Sequence, residues 1–360
     1  MKKRFLFIVL LFTQIAFAQQ CFDFSNSLLV SDKCTGMTQL YGLLPLPVTN
    51  QYQTVYSLDI AEPGIERTTT LGDKYVAFAY SQSDLQAISG TVTMNYVANI
   101  ETHNVNFWMA HDVTEIYPYD TSSEDYIRYT GAVGDIIVPS HPRIVELSDS
   151  LFYAANRDLR TYAEQCYLYT ASHFAYKNMN TGLHSIAQIL ADGGGDCGNF
   201  STVFICLMRA KNIPARHVIA VGRNATHVWA EFLLQNYGWV PVDATYKHDD
   251  PSGNYFGIKN IVNPRLIVVQ HGIEQIYQLS SSFSPTITLL QTFGWWYWYN
   301  GASCNSSVNQ QITLTAAGCE EQGLEDLPVT QQPRSLIYHN GQILILRGSH
   351  TYTLTGQEVK

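Results

Sequence analysis

The chain has 360 residues, 46% hydrophobic and 14% charged. That is apolar material for two or three domains of ordinary size, and it excludes a disordered chain. The formal net charge is −9 and no cluster of Lys and Arg is present. Phosphate binding needs concentrated positive charge, so nucleic acid is excluded as a partner.

Lys2, Lys3 and Arg4 open the chain, Phe5 to Phe12 is an apolar run extended by Ile15, and Ala16-Phe17-Ala18 is a small-x-small cleavage pattern. Residues 1–18 therefore read as a secretory signal peptide, with Gln19 the first mature residue. Its removal takes the net charge from −9 to −12. The run is too short for a bilayer span, no later stretch is longer, and none predicts a membrane span. Seven cysteines follow: 21, 34, 166, 197, 206, 304 and 319. In an oxidising compartment an odd count leaves one thiol over. Cys21 with Cys34, and Cys304 with Cys319, are close enough in sequence to close short loops. Cys166 and Cys206 pair or stay as buried thiols, and Cys197 is the one left out.

Residues 19–140 read as a β-rich accessory domain. Tyr52, Thr54, Tyr56 and Leu58 alternate with polar neighbours, and Thr91 to Val97 does the same. Turn signals recur at sandwich-like spacing, and Pro45, Pro47 and Pro63 exclude long helices. Residues 141–300 read as the catalytic domain. Leu159, Tyr162, Ala163, Cys166, Tyr167 and Thr170 recur at helical steps, and a short helix is expected from Leu183 to Ala191. Val262 to Gln270 and Ile287 to Leu290 look like strands. Trp295 to Tyr299 is an aromatic cluster, read as strand packing ahead of a carbohydrate platform. Residues 301–333, polar and acidic towards their end, are expected as a linker, and 334–360 as a small β-rich tail.

The chemistry concentrates between Gly193 and Tyr246. Three glycines and Asp196 precede Cys197. Phe200, Val203, Phe204, Leu207 and Met208 then fall on one helical face, and Asn212 and Pro214 end the helix. Asp196 is placed to cap it. Free amides and the macrodipole at a helix start favour an anion, which predicts a lowered thiol pKa at Cys197. The glycines are expected to leave room for a substrate backbone. Strands are predicted over Ala215 to Val221, Thr226 to Leu234 and Trp239 to Asp243. His227 and Trp229 share one face of their strand, Trp239 and Asp243 share one face of theirs, and the hairpin sets both on the same side. In an antiparallel hairpin, His227 and Asp243 lie opposite or one step off. His227 can then take the proton of Cys197 while Asp243 fixes its tautomer. Asp196, Trp229 and Trp239 are the expected supporting residues. No CxxC or HxxxH spacing is present, so neither a metal nor another cofactor is expected.

The blocks Gly195-Asp196-Cys197-Gly198-Asn199-Phe200, Leu207 to Arg216, His227-Val228-Trp229-Ala230-Glu231 and Gly238 to Asp243 resemble the transglutaminase-like superfamily. The resemblance implies an α+β fold with a papain-like core, Cys197 as nucleophile, His227 as base and Asp243 as its orienter. It implies acyl transfer through a thioester on a peptide or protein amide, resolved by water (protease or amidase) or by an amine (cross-linking). The competing reading is an inactive surface module that binds glycan or protein. Gly341 to Gly348 and Tyr352 to Lys360 resemble the C-terminal sorting signals of type IX secretion. That implies contact with secretion machinery and a secreted or cell-surface location in a bacterium.

Overall fold

Alternation shapes the first hundred residues. In the strand Cys21–Ser31, Phe22, Phe24, Asn26, Leu28 and Val30 are buried and the residues between them are partly exposed. A strand covered on one face imposes this period of two. The computed structural model describes residues 21–177, 182–223, 225–262 and 265–320, with the strand backbones at 335–339, 342–347, 350–353 and 358–359. The expected signal peptide lies outside the described residues.

Two four-stranded antiparallel sheets result. One runs in the order Ser307–Ala317, Cys21–Ser31, Val92–Thr102, Gln53–Ile60. The other runs Gly294–Tyr299, Met37–Pro45, Lys74–Ser81, Ile65–Thr68. Phe24 and Leu28 from the first sheet meet Leu40, Leu44 and Phe78 from the second in one apolar cluster, as in a sandwich. The aromatic run is an inner-facing strand: Trp295 and Tyr297 pack on this cluster and Trp296 on a neighbouring one.

Three expectations change here. Ser307–Ala317, inside the expected linker, is an edge strand in register with Cys21–Ser31. Val308, Gln310, Ile312 and Leu314 keep a period of two that the polar composition around them dilutes. The disulfides join Cys21 to Cys319 and Cys34 to Cys304, not the sequence neighbours. An antiparallel partner brings the far end of the chain beside Cys21 (Cys21 pairs with Ala317), so spatial proximity is set by the sheet. Cys166, Cys197 and Cys206 are free. The boundary expected near residue 140 does not divide two cores, because Ile219, Val221, Val228, Ile267 and Val269 pack into the same cluster as Phe24 and Leu40.

Beyond the sandwich strands, the helices Pro142–Ala154, Leu159–His173, Ile186–Asp192 and Cys197–Arg209 lead into a four-stranded sheet. Its order is Gly238–Val242, Thr226–Leu234, Ala215–Val221, Ile267–His271. Phe200, Val203, Phe204 and Leu207 pack on Ala230, Phe232 and Leu234. The cysteine helix is not the amphipathic surface helix its spacing suggests, since every residue from Gly198 to Arg209 is buried. Its polar face is satisfied internally. Ser201 donates to the Cys197 carbonyl at 2.9 Å, Thr202 to that of Gly198 at 3.0 Å, and Arg209 to those of Ala215 and Gly131. A buried polar side chain costs little once its hydrogen bonds are made.

The residues up to Glu320 form one compact unit and residues 321–360 another. In the second, Ser335–His339, Gln342–Arg347, His350–Thr353 and Glu358–Val359 pair in chain order as an antiparallel meander.

Candidate active site

The glycine loop has a structural task. Gly193 closes the helix Ile186–Asp192 in the left-handed region, φ 62°, where a side chain is strained. Gly194 and Gly195 pair with Ala175 and Tyr176, and a Cβ on Gly194 would fall 2.1 Å from the Ala175 carbonyl oxygen. Gly194 admits neighbouring backbone and Gly195 the Asn199 side chain, and neither lines the cavity of Cys197. They deliver Asp196 as N-cap, its Oδ1 accepting from the Asn199 backbone N–H at 3.2 Å and the Asn199 side-chain amide at 2.8 Å.

Cys197 is the first residue of the helix and is half-buried. It lines a cavity of about 300 Å³ with Tyr176, Leu183, Thr226, Val228, Leu289 and Gln291. Burial pushes its thiol up to about 12, and the carboxylates of Asp196 and Asp243 add to the rise. The Val228 and Gly198 amides pull the other way and lose. This reverses the low thiol pKa expected of a helix start. The residue that caps the helix sets its own negative charge beside the sulfur, against the macrodipole.

His227 stands near the start of the strand Thr226–Leu234 and is buried. Its Nε2 lies 2.7 Å from Asp243 Oδ2. With Nε2–H donating to the carboxylate, Nδ1 is left as the basic nitrogen. Tyr246 stacks on the ring at 4.5 Å and 12°, and Trp229 at 6.0 Å and 27°. Burial lowers the imidazole pKa. Asp243 opposes that shift and Lys259 reinforces it, and the net effect favours the neutral ring.

Asp243 follows the strand Gly238–Val242. Extending the register Ala230–Val242 by one residue sets it opposite Trp229, on the face that His227 shares. Its Oδ1 accepts from the Tyr246 N–H at 3.0 Å, capping the helix Ala244–Asp249. Its Oδ2 accepts from both His227 and the Lys259 ammonium. Burial alone would raise this carboxyl, but His227 and Lys259 outweigh it and hold it well below the usual carboxylate range. A buried imidazole and a buried carboxylate thus meet, and the helix-start cysteine lines a cavity with the residues on either side of that imidazole. Residues 146–244 match the transglutaminase-like superfamily.

A protein of Haemophilus influenzae described as uncharacterized is 25% identical over 267 residues, 62% of this chain and 68% of that one. A solved structure from Cytophaga hutchinsonii, named a “putative cysteine protease”, covers 82% of this chain and 90% of its own at 14% identity, with a TM-score of 0.50. The periplasmic domain of TgpA from Pseudomonas aeruginosa, bound to ethylmercury, covers 59% of this chain and 91% of its own at 15% identity and a TM-score of 0.30. The fold is α+β: a papain-like transglutaminase core, a β-sandwich packed on it, and a β-rich C-terminal region.

Among the supporting residues, Asp196 and Trp229 come to the site and Trp239 does not. The Trp229 indole N–H donates to the Tyr52 hydroxyl at 3.0 Å, which donates to Glu231 at 2.6 Å. Trp239 carries the Arg216 guanidinium at 3.9 Å and lines a separate cavity of about 340 Å³ with Tyr52 and Glu231. Strand parity puts Trp239 opposite Leu233, four residues from Asp243, and that distance is what sequence reasoning ignored. Lys259 and Tyr246 were missed. Neither lies in a motif, and Lys259 arrives on a two-residue strand, Ile258–Lys259. Gln188, the side-chain amide upstream of the cysteine, is exposed and donates to Asp192 at 2.8 Å. Among the described residues, Cys21, Glu101 and Cys319 approach metal-ligand spacing, but Cys21 and Cys319 are bridged. No described helix is long and apolar enough to cross a membrane.

Proposed function

We propose that this protein is a secreted or cell-surface thiol enzyme that forms a Cys197 thioester with a peptide or protein amide. The observation that carries the reading is the 2.7 Å contact between His227 Nε2 and Asp243 Oδ2, with Thr226 and Val228, on either side of His227, lining the cavity of Cys197. The Cys197 sulfur attacks the carbonyl carbon while His227 Nδ1 takes the thiol proton. The Val228 and Gly198 amides favour negative charge on the sulfur, and helix-start amides suit an oxyanion. The imidazolium then protonates the leaving amine as the C–N bond breaks. Water or an incoming amine attacks the thioester, returning the thiol and releasing an acid or a new amide. Asp243 holds the tautomer throughout.

The test incubates wild type and Cys197→Ala with a peptide library, with and without a primary amine, and reads products by mass spectrometry. Cleavage or deamidation identifies water as the resolving group, and amine incorporation identifies transfer. Products that persist in Cys197→Ala sink the reading. Glycan affinity untouched by that substitution would favour the binding module instead. Two disulfides support an extracytoplasmic location, as do the expected leader and sorting-type tail. The secreted protein should begin at Gln19.

A further inference from the structure

Lys259 has a fully buried side chain. Pairing of Ile258–Lys259 with Val105–Asn106 sets its backbone. A buried ammonium is costly unless paired, and this one donates to Asp243 Oδ2, the same oxygen that His227 Nε2 meets. It also lies 4.4 Å from the centre of the Trp229 ring and 4.2 Å from that of Tyr246. Both rings stack on His227 as well. One carboxylate oxygen and two aromatic faces therefore serve the lysine and the histidine together.

The charge balance follows. A lone buried carboxylate next to an imidazole draws a proton onto the ring. With Lys259 present the buried carboxylate already has its counter-charge. Resting on the thiol-enzyme reading above, we propose that Lys259 is a positioning residue. Through Asp243 Oδ2 it fixes the carboxylate against His227 and keeps the ring neutral until Cys197 releases its proton. The direct effect of the ammonium on the ring has the same sign. The other titratable groups facing this array are Cys197 and Asp196 from the cysteine helix, Tyr246 and Asp249 from the helix Ala244–Asp249, and Tyr167 and Tyr255 towards Asp243.

The experiment titrates the His227 ring by long-range ¹H–¹⁵N NMR in full-length wild type, Lys259→Met and Lys259→Arg, and records kcat/KM over the same pH range. In Lys259→Met the ring midpoint should rise by about one pH unit or more, and the acid limb of kcat/KM should move with it. Lys259→Arg, which keeps the charge, should hold the wild-type midpoint. A folded Lys259→Met that titrates like wild type overturns the proposal. If that variant does not fold, Lys259→Gln keeps a donor to Asp243 without the charge and carries the same expectation. If neither neutral variant folds while Lys259→Arg does, the role is structural and the proposal falls. A shifted midpoint with no Cys197-dependent turnover in any form supports Lys259's control of the ring and refutes the enzyme reading.

Discussion

At the scale of single residues, the resting site is a neutral pair. The Cys197 thiol lies high and the His227 imidazole low, which favours the uncharged form of each. In the proposed thiol reaction, proton transfer then accompanies attack instead of preceding it. The expected pH profile of kcat/KM has an acid limb below the ordinary histidine value of about 6.5. It runs flat through the region near 8.5 where a free thiol would titrate. An acid limb at or above about 6.5, or a further rise near 8.5, would contradict this. Stability follows the same groups. The Asp243 carboxyl is depressed, so its contribution is present above the unfolded value and is lost as pH falls through the folded one. His227 is also depressed, so below about 6.5 the unfolded state binds the extra proton. Both push towards acid unfolding, and the histidine acts first. Asp243→Asn should cut kcat by roughly 10²–10⁴-fold. Because it strands the Lys259 ammonium, it should also cost about 3–5 kcal/mol in urea unfolding.

At the scale of elements, the cysteine helix shows one residue working in two directions. Asp196 caps the helix and also raises the thiol of Cys197. Asp196→Ala should lose about 0.5–2 kcal/mol of stability yet speed alkylation of Cys197 by iodoacetamide at neutral pH. Slower alkylation in a folded variant would show that capping, not charge, governs the sulfur. Much of this level was legible. The strands Ala215–Val221 and Thr226–Leu234 fall where alternation sets them, and the parity of His227 and Asp243 is that of the hairpin. The helix expected from Leu183 starts at Ile186 because Ser185 takes the cap, accepting from the Gln188 N–H. The all-round burial of the cysteine helix was not legible. Its polar face reads as solvent-exposed until the partners of Ser201, Thr202 and Arg209 are known.

At the scale of the whole molecule, the sandwich and the sheet that carries His227 stabilise each other. Removing residues 19–140 should leave Ile219, Val221 and Val228 without the partners they share with Phe24 and Leu40. Such a fragment should be insoluble or molten by near-UV circular dichroism. A cooperative, active fragment would show two separable cores. The Cys34–Cys304 bridge closes a loop with a sequence separation of 270, so it restricts the unfolded chain strongly. Cys34→Ser with Cys304→Ser should cost about 2–4 kcal/mol in chemical denaturation while leaving Cys197 as the accessible thiol.

The sequence by itself determined what depends on near neighbours. These features are the period of each strand, the capped start of the cysteine helix and the same-face placement of His227 and Asp243. The tertiary structure alone decided what depends on residues distant along the chain. It chose Cys319 and Cys304 as the disulfide partners because the strand Ser307–Ala317 returns beside Cys21–Ser31. It brought Lys259 to Asp243 and sent Trp239 to another cavity. It also raised the Cys197 thiol, because burial and two carboxylates act through space, and spacing along the chain does not record what surrounds a sulfur.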